Sequence, residues 1–269
     1  MKKWTYLPVI LLVLLYVISM LIDPDKISIQ LEERNLPPGF SHLFGTDWLG
    51  RDMFLRTMKG IELSITVGLL TAVLSTIVSF LAAMLASMHK WLDRLISWLT
   101  DLFLSLPHLV TLILISFTLG GGFKGVVIGL VLTHWPSLTR VLRAEILQLK
   151  ETKYVKISEK LGKGFWWQAR HHYLPHLLPQ MLVGFTLIFP HAILHEASIT
   201  FLGFGLSPEQ PAIGIILSEA MQYLSTGFWW LAFFPGLILL IIILLFQICA
   251  KAWKSYLEKD FSHENIVRD

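Results

Sequence analysis

The chain has 269 residues, of which 54% are hydrophobic and only 15% charged, with a formal net charge of +3. Its mean hydropathy is +0.63, and soluble domains carry less apolar and more charged sequence than this. A soluble enzyme built on one core is thereby excluded, the single Cys249 excludes an internal disulfide framework, and an all-α polytopic membrane protein is expected.

In chain order, six runs approach the ~20 apolar residues that cross a bilayer as a helix: about 5–22, 62–88, 96–118, 124–140, 181–206 and 228–250. The first follows Met1, Lys2 and Lys3. It lacks a small-x-small cleavage site, so it reads as an uncleaved span. The third contains Asp101 and Pro107, and the fourth ends near His134, Trp135 and Pro136. Proline in a membrane helix is tolerated where neighbouring helices satisfy the freed carbonyl.

Six spans put both termini on one side. Lys and Arg then divide 16 to 6 in favour of the side that holds the termini and the basic stretch 139–180. The positive-inside rule makes that side the cytoplasm. The segments 23–61 and 207–227 become external, and 207–227 has no Lys or Arg. The expected organisation is a first helix with an external element (1–61), a five-helix core (62–250) with a cytoplasmic segment at 151–175, and a cytoplasmic tail (251–269).

The external element is punctuated by Gly45, Gly50 and Gly60 and carries Asp47, Arg51, Asp52 and Arg56. Opposite charges this close either pair to fix a lid or meet a partner or substrate. On the cytoplasmic side, Tyr154, Ile157, Ser158 and Leu161 recur at helical spacing among Lys153, Lys156, Glu159 and Lys160. Gly162 suits a left-handed helix stop. A second helical piece, Phe165 to Tyr173, is expected to end before Leu174–Pro175. The result is a helix, a sharp turn and a helix at the membrane face. It serves either as a lipid-anchored interfacial element or as a docking helix for a cytoplasmic partner.

The fifth span raises the question of chemistry. His191, His195 and Glu196 fall near its middle, where ionisable groups are costly and mark a pathway or a pairing. His191 and His195 are four residues apart and share a face. Two imidazoles one turn apart are half of a metal site, and neutral imidazole suits Ni, Cu, Zn and Fe. A hydrogen-bonded pair that only packs the bundle is the plainer alternative.

Four stretches carry a resemblance. "FGTDWLGRDMFLRTMKGIELSITVG" (Phe44 to Gly68) is similar to the G-T-D-x-x-G-R-D element of the dipeptide/oligopeptide/nickel permeases of ABC importers, with Leu55 where Ser is usual and Glu62 where Arg is usual. "DRLISWLTDLFLSLP" (Asp93 to Pro107) and "ASITFLGFG" (Ala197 to Gly205) resemble the family's third-span entry and fifth-span end. The cytoplasmic segment resembles the family's E-A-A-x(3)-G-x(9)-I-x-L-P coupling motif. Gly162 fills the Gly and Leu174–Pro175 the Leu-Pro, but Lys156, Ile157 and Ser158 stand at Glu-Ala-Ala and His172 at the apolar position.

The resemblance implies a six-helix, type I importer permease with a cytoplasmic coupling helix in the cell membrane. Its implied partners are a second homologous permease subunit, two cytoplasmic ATPases, an extracytoplasmic substrate-binding protein and membrane lipid, with no nucleic acid. Coupling would fall to Tyr154, Lys156, Ile157, Ser158, Leu161, Gly162, Leu174 and Pro175. The substrate pathway would run past His134, His191, His195 and Glu196.

This chain would bind no cofactor and catalyse nothing itself. It has no G-x-x-x-x-G-K-[ST] phosphate loop, since "GGGFKG" (Gly120 to Gly125) lacks the length and the hydroxyl. The nickel-type members are resembled at His191-x-x-x-His195 and at His134-Trp135. The expected cargo is therefore nickel or a metal chelate held transiently by His191 and His195, with a peptide as the alternative. Two other classes are weighed. A membrane di-iron oxidase would use His171, His172 and His176 with the fifth-span pair, but it needs its histidines on one membrane face. A proton-coupled transporter would need no docking helix.

Overall fold

The computed structural model describes residues 6–266, with side chains from 7 to 253. Lys2, Lys3 and Arg268, together with the side chains of Lys254 and Lys259, all used in the charge count, lie outside the described residues. Among the described residues the regular structure is helical apart from an isolated bridge between Thr46 and Asp52.

Helix α1 (Tyr6–Leu21) leads into the external element. Helix α2 (Met53–Met88) starts where the Asp52 carboxylate accepts hydrogen bonds from the amides of Phe54 and Leu55, at 2.8 and 3.0 Å. A side-chain acceptor at this position satisfies amides that have no partner inside the helix. At 36 residues α2 is longer than a bilayer requires, and its first turns stand inside the external element. It is also the hub of the bundle, packed against both α5 (Gly122–Glu151) and α8 (Leu174–Phe201). Small residues make that possible. A Cβ on Gly68 would lie 2.7 Å from Ile193 Cγ1, and Ser79 Oγ donates to the Trp135 carbonyl at 2.9 Å. Membrane helices associate through such close approach and hydroxyl bonding, because lipid offers no hydrophobic driving force between them.

Several expectations change. The third span is not one helix. α3 (Lys90–Ser105) and α4 (His108–Thr118) are separated by a bend of 102°. Leu106, forced by Pro107 out of the helical region, is extended with ψ 146°. The fourth span is a 30-residue helix that carries Pro136 inside it. The second cytoplasmic helix does not stop before Leu174–Pro175. α7 (Phe165–Gln168) passes through a π-turn at Ala169–Tyr173 straight into α8, and the whole runs as one apolar unit to Phe201. The segment 207–227 is not only loop. It contains α9 (Ile213–Met221), which packs against α8 and α10 (Trp230–Ile266).

Among the described residues, four helices are long and apolar enough to cross a membrane: α2, α5, the α7–α8 unit and the first part of α10. The bent α3–α4 pair raises this to five. The apolar stretch of α1, Leu7–Leu21, is shorter than the ~20 residues of a full span. Among the described residues, four or five of the expected six spans thus meet the test of length and composition, and α1 is the one that falls short.

Candidate functional site

Four charges of the external element, Asp47, Arg51, Asp52 and Arg56, turn inward and are buried or half-buried. Asp47 is fully buried, and its Oδ1 accepts from the amides of Leu49 and Arg51 at 2.9 and 3.0 Å. Its Oδ2 meets Arg51 Nε at 2.7 Å and Arg56 Nη1 at 3.1 Å. Arg56 carries the network across to α9, where its Nη2 meets Glu219 at 2.5 Å. Both guanidinium groups lie over the Trp48 ring, which stacks on Tyr223 at 4.7 Å between centroids. Asp52, besides capping α2, pairs with His42 at 2.8 Å. The sequence gives no hint of Glu219, 163 residues from Arg56. Two glycines let the chain fold so tightly. Gly45 and Gly50 have φ of 72° and 75°, and a Cβ on Gly50 would fall 1.7 Å from the Gln30 carbonyl oxygen.

Within the membrane segment, three imidazoles gather from three helices. His108, His134 and His195 have ligand atoms that all lie within 4.8 Å of one another. Ring centroids are 4.8 Å apart for His108–His134, 4.3 Å for His108–His195 and 5.5 Å for His134–His195. The approach follows from glycines on α5. A Cβ on Gly125 would meet the Ser116 carbonyl oxygen at 2.8 Å, and one on Gly129 would meet Leu112 Cδ1 at 2.9 Å. Each pairing steps one turn along both helices, α4 backward and α5 forward. The next step sets His108 beside Thr133–His134.

His134 is 8% exposed and its Nδ1 lies 2.8 Å from the Leu130 carbonyl oxygen. A carbonyl oxygen only accepts, so Nδ1 carries the proton and Nε2 is a lone-pair donor atom. Among the described residues, the buried Nε2 atoms of both His134 and His108 have no hydrogen-bond partner.

This grouping differs from the sequence expectation in three ways. His108 was not foreseen. It is a lone histidine, and its only signal is Pro107 before it, a helix-start residue. His191 shares a face with His195 but is not a member of the group. It opens instead on a cavity of about 160 Å³ lined also by Pro190, Gln247 and Lys251. Glu196 turns away onto α2. It is fully buried, with Ser64 Oγ donating to Oε2 at 2.8 Å and Thr200 Oγ1 donating to Oε1 at 3.0 Å.

On the opposite side of the bundle, α6 (Lys153–Lys160) ends at Leu161, and Gly162 follows with φ 77°. Its inner face is Val155 and Ser158, both buried, with Ser158 Oγ at 3.1 Å from His172 Nε2. Tyr154 packs edge-on against the His172 ring at 5.2 Å. Tyr154, Ile157 and Leu161 are 47%, 56% and 72% exposed. Only Ser158 of the expected face turns inward. Lys156 pairs with Glu151 at 2.6 Å on the surface. Leu174 and Pro175 lie in the first turn of α8 rather than in a loop.

Comparison with known proteins gives these features a setting. The family of binding-protein-dependent transport system inner membrane components matches residues 75–263. A Brucella suis protein named as a permease of a peptide transport system is 34% identical over 235 residues, covering 87% of this chain and 78% of its own length. The dipeptide transport system permease protein DppC of Bacillus subtilis is 30% identical over 234 residues, covering 86% of this chain and 73% of its own. A solved amino acid ABC transporter, crystallised with histidines, superposes with a TM-score of 0.57 over 75% of this chain and 94% of its own. It is only 14% identical, so it speaks for the fold alone. Membership implies ATPase and substrate-binding partners, and a transmembrane role that is not itself catalytic. The chain belongs to the inner membrane component family of binding-protein-dependent transport systems, as a multi-pass permease subunit of an ABC importer.

Proposed function

We propose that this subunit passes peptides across the cell membrane, driven by ATP that partner ATPases hydrolyse. The observation that carries the cargo is the relationship to permeases named for peptide and dipeptide transport, sustained over more than four-fifths of the chain. In this reading a second homologous permease subunit completes the pore. An extracytoplasmic protein delivers the peptide, lipid surrounds the bundle, and the chain binds neither cofactor nor nucleic acid. Both termini are cytoplasmic, as the distribution of Lys and Arg supports. The organisation follows as 1–61 for the first helix and external element, 62–250 for the core and 251–269 for the tail.

Helix α6 is the coupling element. Its outward Tyr154, Ile157 and Leu161 form an apolar ridge flanked by lysines, which suits insertion into a groove on a cytoplasmic partner. Replacing Ile157 and Leu161 by Asp is expected to abolish ATP-driven uptake while leaving the bundle's unfolding midpoint unchanged. Both side chains point away from the core. Loss of stability in that variant would reassign α6 to the core.

A second cargo reading, nickel or a metal chelate, is favoured by one observation, the three imidazoles of α4, α5 and α8. Uptake of a labelled dipeptide and of radioactive nickel, measured with and without this subunit, separates the two. Loss of dipeptide uptake alone supports the peptide reading, and loss of nickel uptake alone overturns it.

A further inference from the structure

We infer that His108, His134 and His195 are the ligands of a transition-metal ion. The inference deepens the metal-cargo reading, on which it rests for its biological use. The argument begins with what buried polar atoms normally do. They find hydrogen-bond partners, and those that do not call for an explanation such as an ion. Here two imidazole nitrogens, His108 Nε2 and His134 Nε2, are buried without partners in one small region. Three rings meet there from separate helices. A histidine kept only for packing would be replaceable by an apolar side chain that leaves no nitrogen unsatisfied.

The ligand chemistry is consistent. A metal-bound imidazole usually donates its other N–H to a carbonyl or carboxylate, which fixes the tautomer and the ring plane. His134 has that arrangement through the Leu130 carbonyl, 2.8 Å from Nδ1. Three neutral nitrogens suit Ni, Cu, Zn or Fe, and exclude Mg and Ca, which take oxygen ligands.

Geometry decides the character of the site. Two nitrogens bound at about 2 Å to one tetrahedral ion lie about 3.3 Å apart. The ligand atoms lie within 4.8 Å of one another, so binding draws them together by up to about 1.5 Å. Three protein ligands also leave a coordination position open, the pattern of sites that exchange what they bind rather than of closed structural sites. One ligand, His108, is the first residue after the 102° break. Membrane transporters use broken helices in this way to form ion and substrate sites. Closing the triad therefore couples ion binding to the angle between α3 and α4.

The test uses the full chain, purified in detergent by a tag free of histidine and titrated with Ni²⁺ alone by equilibrium dialysis. The expected result is about one ion per chain. Binding should weaken by at least about tenfold in His134→Gln and in His195→Gln, the loss that altering even an outer-shell partner can bring. His171→Gln, an exposed cytoplasmic histidine, should bind as the wild type does.

Nickel K-edge absorption of the unmutated chain checks the donors without any variant. Imidazole scattering supports the triad, and an all-oxygen shell overturns it. Absence of stoichiometric binding in the wild type also overturns it, as does undiminished binding in a His108→Gln, His134→Gln, His195→Gln chain. The uptake assays are read separately. An ion held by the triad in a chain that nickel uptake does not need keeps the site and rejects the metal cargo. Nickel uptake that needs the chain, with no ion on the triad, rejects the site and keeps the cargo.

Discussion

The external element and the imidazole cluster both bury polar groups, and they do so in opposite ways. Around Asp47 every oxygen is used. Two backbone amides and two guanidinium groups converge on it, and Arg56 extends the pairing to Glu219. Around His134 one nitrogen is used, while its Nε2 and that of His108 have no partner among the described residues. A fully paired buried network fixes structure, whereas a buried group without partners carries a cost that structure alone does not repay. The contrast separates a clamp from the binding site proposed above.

The largest test of that contrast is Arg56→Ala. It leaves Asp47 and Glu219 without their bridging cation. Breaking a buried pair in this way costs about 3–5 kcal/mol, so unfolding in detergent should shift by that amount. A shift under ~1 kcal/mol would make the element an ordinary surface network. Next comes Gly50→Ala. The left-handed φ alone costs about 1–2 kcal/mol, and the collision with the Gln30 carbonyl adds to it. Reduced yield and a lower unfolding midpoint are expected, and wild-type stability would mean that the backbone at Gln30 can move aside.

Asp52→Ala is expected to cost about 1 kcal/mol through loss of the α2 cap, with loss of the His42 pairing added. His134→Leu sharpens the comparison from the other side. It removes an unpaired nitrogen at similar volume, so stability should stay within about 1 kcal/mol of wild type while Ni²⁺ binding falls. A loss as large as that of Arg56→Ala would show that the imidazoles hold the bundle together. The smallest effect belongs to Arg140→Ala. Its pair with Asp101 is exposed on both sides, and such pairs contribute about 0–1 kcal/mol.

Much of this was legible in the residues, and the limits have physical causes. The apolar runs announced the helices because lipid forces backbone groups to bond within a segment. Gly162 announced the turn after α6, and Gly45 and Gly50 the folds of the external element, because few other residues accept positive φ. What the sequence could not carry was contact between distant segments. Helical spacing turns Glu196 away from His195, but not until Ser64 is seen is the helix that holds it known. His108 reads like nothing until the glycine register of α5 brings it to His134. Helix α9 was read as loop because nine residues are too few for an apolar period to stand out. The break at Pro107 was visible as a proline, but its angle depends on the neighbours that accept it.

The continuity of α7 into α8 has a mechanical consequence. From Phe165 to His195 the axis is a strut of about 45 Å at 1.5 Å per residue. A tilt of about 5° at its Phe165 end displaces the far imidazole by about 4 Å, by lever geometry on that length. Such a displacement exceeds the closure of up to about 1.5 Å that the proposed metal triad would need. The π-turn at Ala169–Tyr173 and the prolines at 175, 179 and 190 are then points of compliance, setting how much of a push at the foot arrives at the tip and how much is absorbed as bending.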